Sequence, residues 1–184
     1  MNAHTITRIL QGGIAAVGLF IVGYLAYNQF IKPNTPQTQE PKMVSGNQSF
    51  TTFTFRDVIV GKPFTDAQIA AQKPMLVTNF NPNCSHCKAL AQGITQRSDV
   101  FDGVQILFIS SAPDSLIKEF AISYQLHNKP NIKFLADTDK QFFFVFGNAG
   151  VPLVLIYDKS HRLTQTLQGE APMFQIIESL LQSP

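Results

Sequence analysis

Met75-Leu76-Val77-Thr78-Asn79-Phe80-Asn81-Pro82-Asn83-Cys84-Ser85-His86-Cys87-Lys88 contains a short apolar run, a polar turn and two cysteines three positions apart. The run Met75–Phe80 has the length and composition of a strand covered on both faces. Ser85 to Arg97 is predicted as a helix with Ala89, Leu90 and Ile94 on one side. The cysteines therefore fall where a buried strand passes into a helix. In the first turn, a sulfur lies near unpaired backbone N–H groups and the positive end of the helix dipole. Both favour thiolate, the nucleophilic form, over thiol. Cys87, one turn on, reaches the Cys84 sulfur without rearrangement of the backbone, so the pair is expected to cycle between dithiol and disulfide. A partly positive His86 ring beside Cys84 would stabilise the thiolate further and make the pair more oxidising, ~30 mV for every ~1.4 kcal/mol.

Outward from this stretch, strands and helices alternate. Phe50, Phe53 and Phe55 begin a strand-like segment, and Gly61-Lys62-Pro63 reads as a turn. Val104–Ile109 is a second buried strand. Pro113-Asp114-Ser115 opens a helix whose apolar face is Leu116, Phe120, Ala121 and Tyr124. Ile132–Leu135 is a short strand. Thr138 or Asp139 is a candidate cap for a helix holding Phe142, Val145 and Phe146, although the run Phe142–Phe146 also suits a strand. Strands at Leu153–Tyr157 and Leu163–Leu167 form a hairpin. A last helix, begun by Pro172, would turn Phe174, Ile177 and Leu181 inward. This order implies an α/β domain, a central mixed sheet with helices on both faces, over residues 49–184.

The amino-terminal part is of another kind. After a tail at 1–8, residues 9–31 carry no charge and are bounded by Arg8 and Lys32. As a helix they span ~34 Å against a hydrocarbon core of ~30 Å, and Tyr24 and Tyr27 suit the interface. One transmembrane helix is expected, uncleaved because the stretch outruns a signal-peptide core and no clear cleavage site follows. Residues 32–48, with three prolines and no aromatic, read as a flexible tether. The short tail points to a signal-anchor with the large domain exported, single-pass in the cell inner membrane.

Composition narrows the function further. The net charge is +2, and of 14 basic residues only Arg8 and Lys32 precede residue 33, leaving 12 basic against 12 acidic groups. No basic surface for nucleic acid is expected. Cys84 and Cys87 are the only cysteines, which excludes a disulfide framework and means a local site. The two thiolates make half of a zinc site, but no second pair follows. Copper(I) held by both sulfurs and a distant histidine, His127 or His161, stays open.

The strand, Phe80-Asn81-Pro82-Asn83-Cys84-Ser85-His86-Cys87, the helix, and later Gly150-Val151-Pro152-Leu153-Val154-Leu155-Ile156-Tyr157-Asp158 resemble the thioredoxin superfamily, most of all the membrane-anchored TlpA/ResA-type thiol–disulfide oxidoreductases. The resemblance implies a thioredoxin-like fold behind the anchor, with Cys84 attacking and Cys87 resolving. It implies a cis Pro152 that turns the Val151 backbone toward a substrate, with Val151, Pro152 and Ser85 as substrate contacts. Gly169 matches a family glycine after the last strand. No cofactor is implied beyond the Cys84–Cys87 disulfide. The implied partners are protein thiols and disulfides, a membrane thiol donor or acceptor, and lipid around residues 9–31, with the direction leaning to reduction. Two positions depart from the family pattern. Asn83 stands where a tryptophan is usual, and Thr78 where many members bury a carboxylate that accepts the resolving thiol's proton, with Glu170 and Asp137 as candidate substitutes. A Sco-type copper metallochaperone is the alternative, although that family spaces its cysteines by three residues. Asn81, three before Cys84, is not the threonine of a peroxiredoxin.

Overall fold

The computed structural model describes Tyr24, residues 52–148 and residues 150–182. Apart from Tyr24, the expected anchor and tether lie outside the described residues. Among the described residues no helix is long and apolar enough to cross a membrane.

Seven strands form one mixed sheet: β1 (Thr54–Asp57), β2 (Lys62–Thr65), β3 (Met75–Asn79), β4 (Gln105–Ser110), β5 (Ile132–Ala136), β6 (Leu153–Tyr157) and β7 (Leu163–Gln168), in the spatial order β2-β1-β5-β4-β3-β6-β7. The helices are α1 (Ser85–Gln96), α2 (Ser98–Phe101), α3 (Asp114–Ser123), α4 (Phe142–Phe146) and α5 (Met173–Leu181). β3, β4 and β5 are parallel neighbours, and β6 runs antiparallel to β3. Two right-handed crossovers stepping the same way across the sheet put α1 and α3 on the same face.

Alternation along the central strands explains why they read as continuous apolar runs. Leu76, Ile106, Phe108, Phe134, Val154 and Ile156 pack toward α1, α3 and α5. Met75, Val77, Leu107, Ile109, Leu135, Leu153, Leu155 and Tyr157 pack toward α4 and the phenylalanines of the β1–β2 region. Each strand feeds two cores. On the first face Phe80, Phe108, Phe120 and Phe134 form a cluster, with Phe108 and Phe134 stacked at 4.9 Å and the rings of Phe80 and Phe120 tilted at 4.8 Å. Phe80 is the last residue before the cysteine turn, so this cluster is the floor of the site.

Several local expectations change. Lys62 and Pro63 lie inside β2, paired with Asp57 and Arg56, and the turn precedes them. The inward residue of α1 is Ala91 rather than Ala89, because Cys87, Leu90, Ala91 and Ile94 trace the helical stripe. Ile117, not Leu116, anchors α3 with Phe120 and Ala121. The Phe142–Phe146 run is helical, but neither Thr138 nor Asp139 caps it. The Asp137 carboxylate accepts the N–H groups of Gln141 at 2.7 Å and Phe142 at 3.1 Å. In α5, Ile176 and Leu180 are buried while Phe174 and Leu181 are exposed, a different phase from the expected one.

Candidate active site

β3 ends at Asn79, and the turn that follows is built by Asn81. Its side-chain oxygen accepts the Asn83 N–H at 2.9 Å, and its carbonyl accepts the Cys84 N–H at 3.0 Å. Pro82 is buried in this turn and Asn83 is exposed. Cys84 is thereby set at the N-cap of α1 in extended conformation, its own carbonyl accepting the Lys88 N–H at 3.1 Å. Both cysteines are free thiols, Cys84 partly exposed and Cys87 fully buried against the core.

The two sulfurs ionise very differently. Burial opposes charge on Cys84, but it is outweighed by the Cys87 thiol, the backbone N–H groups of Cys87 and His86, and the Lys88 ammonium, so its pKa lies below that of an ordinary thiol. Cys84 makes no conventional side-chain capping bond. The N–H groups still favour its charged form by their orientation toward the helix start. Burial pushes Cys87 up to about 12; the Asn81 backbone opposes this, and the Cys84 sulfur adds to the rise. His86 is exposed, and what it offers Cys84 is its backbone N–H; the cation acting on the thiolate is Lys88. Ser85 is exposed at the first turn of α1.

A second segment comes to the same end of the sheet. Leu153 pairs with Asn79, so the residues just before β6 lie beside the turn that carries the cysteines. The Val151–Pro152 peptide is cis, with Pro152 buried and Val151 exposed. The Asn79 side-chain amide donates to the Gly150 carbonyl at 2.9 Å, and the Gly169 N–H donates to the Pro152 carbonyl at 3.0 Å. A Cβ at Gly150 would lie 2.8 Å from the Gln168 amide nitrogen, so a side chain there would require the Gln168 side chain to move. Gly169 has φ +80°, which only glycine adopts readily. Asn79 and Asn81 are the positioning residues that sequence reasoning missed. An asparagine directly before Pro82 was the available signal for Asn81; nothing local could have signalled Asn79, whose partner is 71 residues away.

The remaining candidates lie elsewhere. Thr78 is fully buried on the α1 face of β3, and its hydroxyl has no hydrogen-bond partner. Asp137 is committed to the start of α4, and Glu170 is exposed, so neither takes up the role of a buried carboxylate beside Cys87. His127 precedes β5 and His161 sits in the β6–β7 hairpin, both at the end of the sheet opposite Cys84. The His161 ring nitrogen lies 3.2 Å from the Ala70 carbonyl. Among the described residues no group of three or more His, Cys, Asp or Glu side chains could hold a metal ion. Among the described residues, neither His127 nor His161 stands beside the sulfurs as a third copper ligand.

Solved structures that share this fold are numerous. A secreted Mycobacterium tuberculosis disulfide oxidoreductase homologous to E. coli DsbE aligns with a TM-score of 0.60 at 20% identity, covering 70% of this chain and 94% of that one. The fold is thioredoxin-like. A thiol:disulfide interchange protein of Chlorobium tepidum aligns with a TM-score of 0.58 at 18% identity, covering 75% and 99%. The peroxidoxin BcpB of M. tuberculosis aligns with a TM-score of 0.60 at 15% identity, covering 73% and 94%. No protein-family model and no curated protein matches the chain. Because this thioredoxin-like fold is shared with a peroxidoxin, the chemistry has to be argued from the residues.

Proposed function

We propose that the protein is a membrane-tethered thiol–disulfide oxidoreductase that exchanges its Cys84–Cys87 pair with exported protein substrates. The observation that carries this reading is the division between a thiolate-prone, partly exposed Cys84 and a buried, firmly protonated Cys87 one turn away. A lone reactive thiol or an inert core pair would not be divided in this way. In the reducing direction the Cys84 thiolate attacks one sulfur of a substrate disulfide. The substrate S–S bond breaks, a Cys84–substrate disulfide forms, and the departing sulfur takes up a proton. Cys87 then gives up its proton and attacks the Cys84 sulfur. The Cys84–Cys87 bond forms, the second substrate thiol leaves, and two electrons have passed to the substrate. A membrane thiol donor would restore the dithiol; running backward, the same steps donate a disulfide.

Val151 supplies the docking edge. Neither its N–H nor its carbonyl has a hydrogen-bond partner among the described residues, and it follows the Gly150 carbonyl that Asn79 holds. An extended substrate strand would pair there, over Pro152 and past Ser85. The helix expected at 9–31 would hold the domain on the exported side of the inner membrane. The leaning to reduction comes from the family resemblance, and stabilisation of the Cys84 thiolate pulls the potential the other way.

The test is the equilibrium potential of the pair together with trapping. A value near about −270 mV marks a reductase and one near about −120 mV an oxidase. Cys87→Ser is expected to accumulate mixed disulfides through Cys84, and Cys84→Ser to accumulate none. Equal trapping by both variants would remove the assigned roles.

A further inference from the structure

The segment between β5 and β6 begins and ends at the cysteine end of the sheet. The Asp137 N–H donates to the carbonyl of Ser110, the last residue of β4, and the Gly150 carbonyl is held by Asn79 at the end of β3. Between these points α4 buries Phe142 and Phe146 and leaves Phe143 and Phe144 outward, 53% and 78% exposed. Their rings meet edge to face at 5.6 Å. Val151, on the docking loop itself, is 49% exposed. From Gln141 to Pro152 no residue is charged. Two neighbouring phenylalanines held outward are an apolar surface of the kind that marks a recognition site, and this one is continuous along the chain with the loop read above as the substrate edge.

We propose that Phe143, Phe144 and Val151 form a docking surface for an extended polypeptide whose cysteine is flanked by aliphatic or aromatic residues. The proposal rests on the oxidoreductase reading and adds the class of substrate to it. An extended strand paired at Val151 would lie across the cysteine end of the sheet, where the segment carrying α4 starts and returns, with two outward rings and no charge to meet its side chains. Rigid aromatic rings contribute contact area at small entropic cost, which is why such residues dominate recognition surfaces. A small charged disulfide such as oxidised glutathione gains nothing from this surface, so the site distinguishes apolar polypeptide segments, exposed before a protein has folded, from low-molecular-weight thiols.

The experiment uses the full chain and the double variant Phe143→Ser/Phe144→Ser, which spares the buried Phe142 and Phe146. Two readouts are compared: equilibrium binding of a peptide with Leu, Val and Phe around a serine in place of its cysteine, and the rates of exchange with the corresponding disulfide-linked peptide and with oxidised glutathione. The variant is expected to bind the serine peptide about tenfold more weakly and to lose a similar factor in rate with the peptide disulfide, with the glutathione rate unchanged. Equal peptide binding by both proteins would overturn the proposal, as would an equal loss of rate on both disulfides. A loss seen only in self-association by sedimentation, or only in binding to phosphatidylcholine vesicles, would overturn it as well. If peptide binding falls as expected but neither disulfide undergoes Cys84-dependent exchange, the docking surface stands and the oxidoreductase reading falls.

Discussion

At the residue scale the division of labour between the two sulfurs is an electrostatic consequence of where a helix begins. Cys84 stands at the N-cap and is favoured as an anion; Cys87, one turn deeper, has lost solvent without gaining a countercharge. In the reduced protein near pH 7, iodoacetamide is therefore expected to modify Cys84 and leave Cys87 intact, as peptide mapping would read. The pH profile of that reaction should have its midpoint below the ~8.5 of a free cysteine, the rate falling as pH drops through it because the thiolate is lost. Replacing Lys88 by Glu exchanges attraction for repulsion beside the sulfur and should move the midpoint upward; an unmoved midpoint would show that the Cys87 thiol and the backbone N–H groups suffice. Thr78 is the converse case, a buried hydroxyl with nothing to bond. Thr78→Val keeps the shape and removes the unsatisfied group, so urea denaturation should show a gain of about 1 kcal/mol. A loss instead would mean that the hydroxyl has a partner such as a buried water.

At the scale of the element, what the sequence could and could not tell has a physical pattern. β3, β4 and β6 were legible because strands buried on both faces are written as unbroken apolar runs, and the start of α1 because a proline turn precedes it. The phase of α5 was not. Met173-Phe174-Gln175-Ile176-Ile177-Glu178-Ser179-Leu180-Leu181 is apolar around more than half its circumference, so two stripes fit the helical period and only the sheet beneath chooses between them. The sheet chooses Ile176 and Leu180. Ile176→Ala is therefore expected to cost on the order of 2–4 kcal/mol in urea denaturation, whereas Phe174→Ala, at an exposed position, should stay within about 0.5 kcal/mol. The reverse ranking would restore the stripe read from sequence. The short helix α4 forms as expected, and only its cap differs: Asp137, the residue after β5, accepts the N–H groups of Gln141 and Phe142 four and five positions on, a longer reach than the N2 or N3 bond of an ordinary cap.

At the scale of the whole molecule, the candidate site exists only where two distant segments of the chain meet. The sequence could name each of them, the cysteine turn after β3 and the Gly150–Pro152 loop before β6, because each carries its own motif. It could not show what fastens one to the other. The β3–β6 pairing brings them together, and the Asn79 side chain, closing across 71 residues on the Gly150 carbonyl, fixes the loop together with the Gly169 N–H on Pro152. Asn79 belongs to β3 and its side-chain amide holds the loop, so its effect on chemistry is expected to run through the loop. Asn79→Leu removes the donor while keeping the bulk, and it leaves the start of α1 and its N–H groups unaltered. The rate of exchange with a protein disulfide is then expected to fall several-fold, while the pH midpoint for alkylation of Cys84 stays where it was, since positioning of substrate and ionisation of the thiol are separate matters. Insulin reduction and iodoacetamide kinetics on the same preparation measure both. A shifted midpoint would mean that Asn79 also orders the thiolate, and the turn built by Asn81 would not then be sufficient to set Cys84 at the helix start.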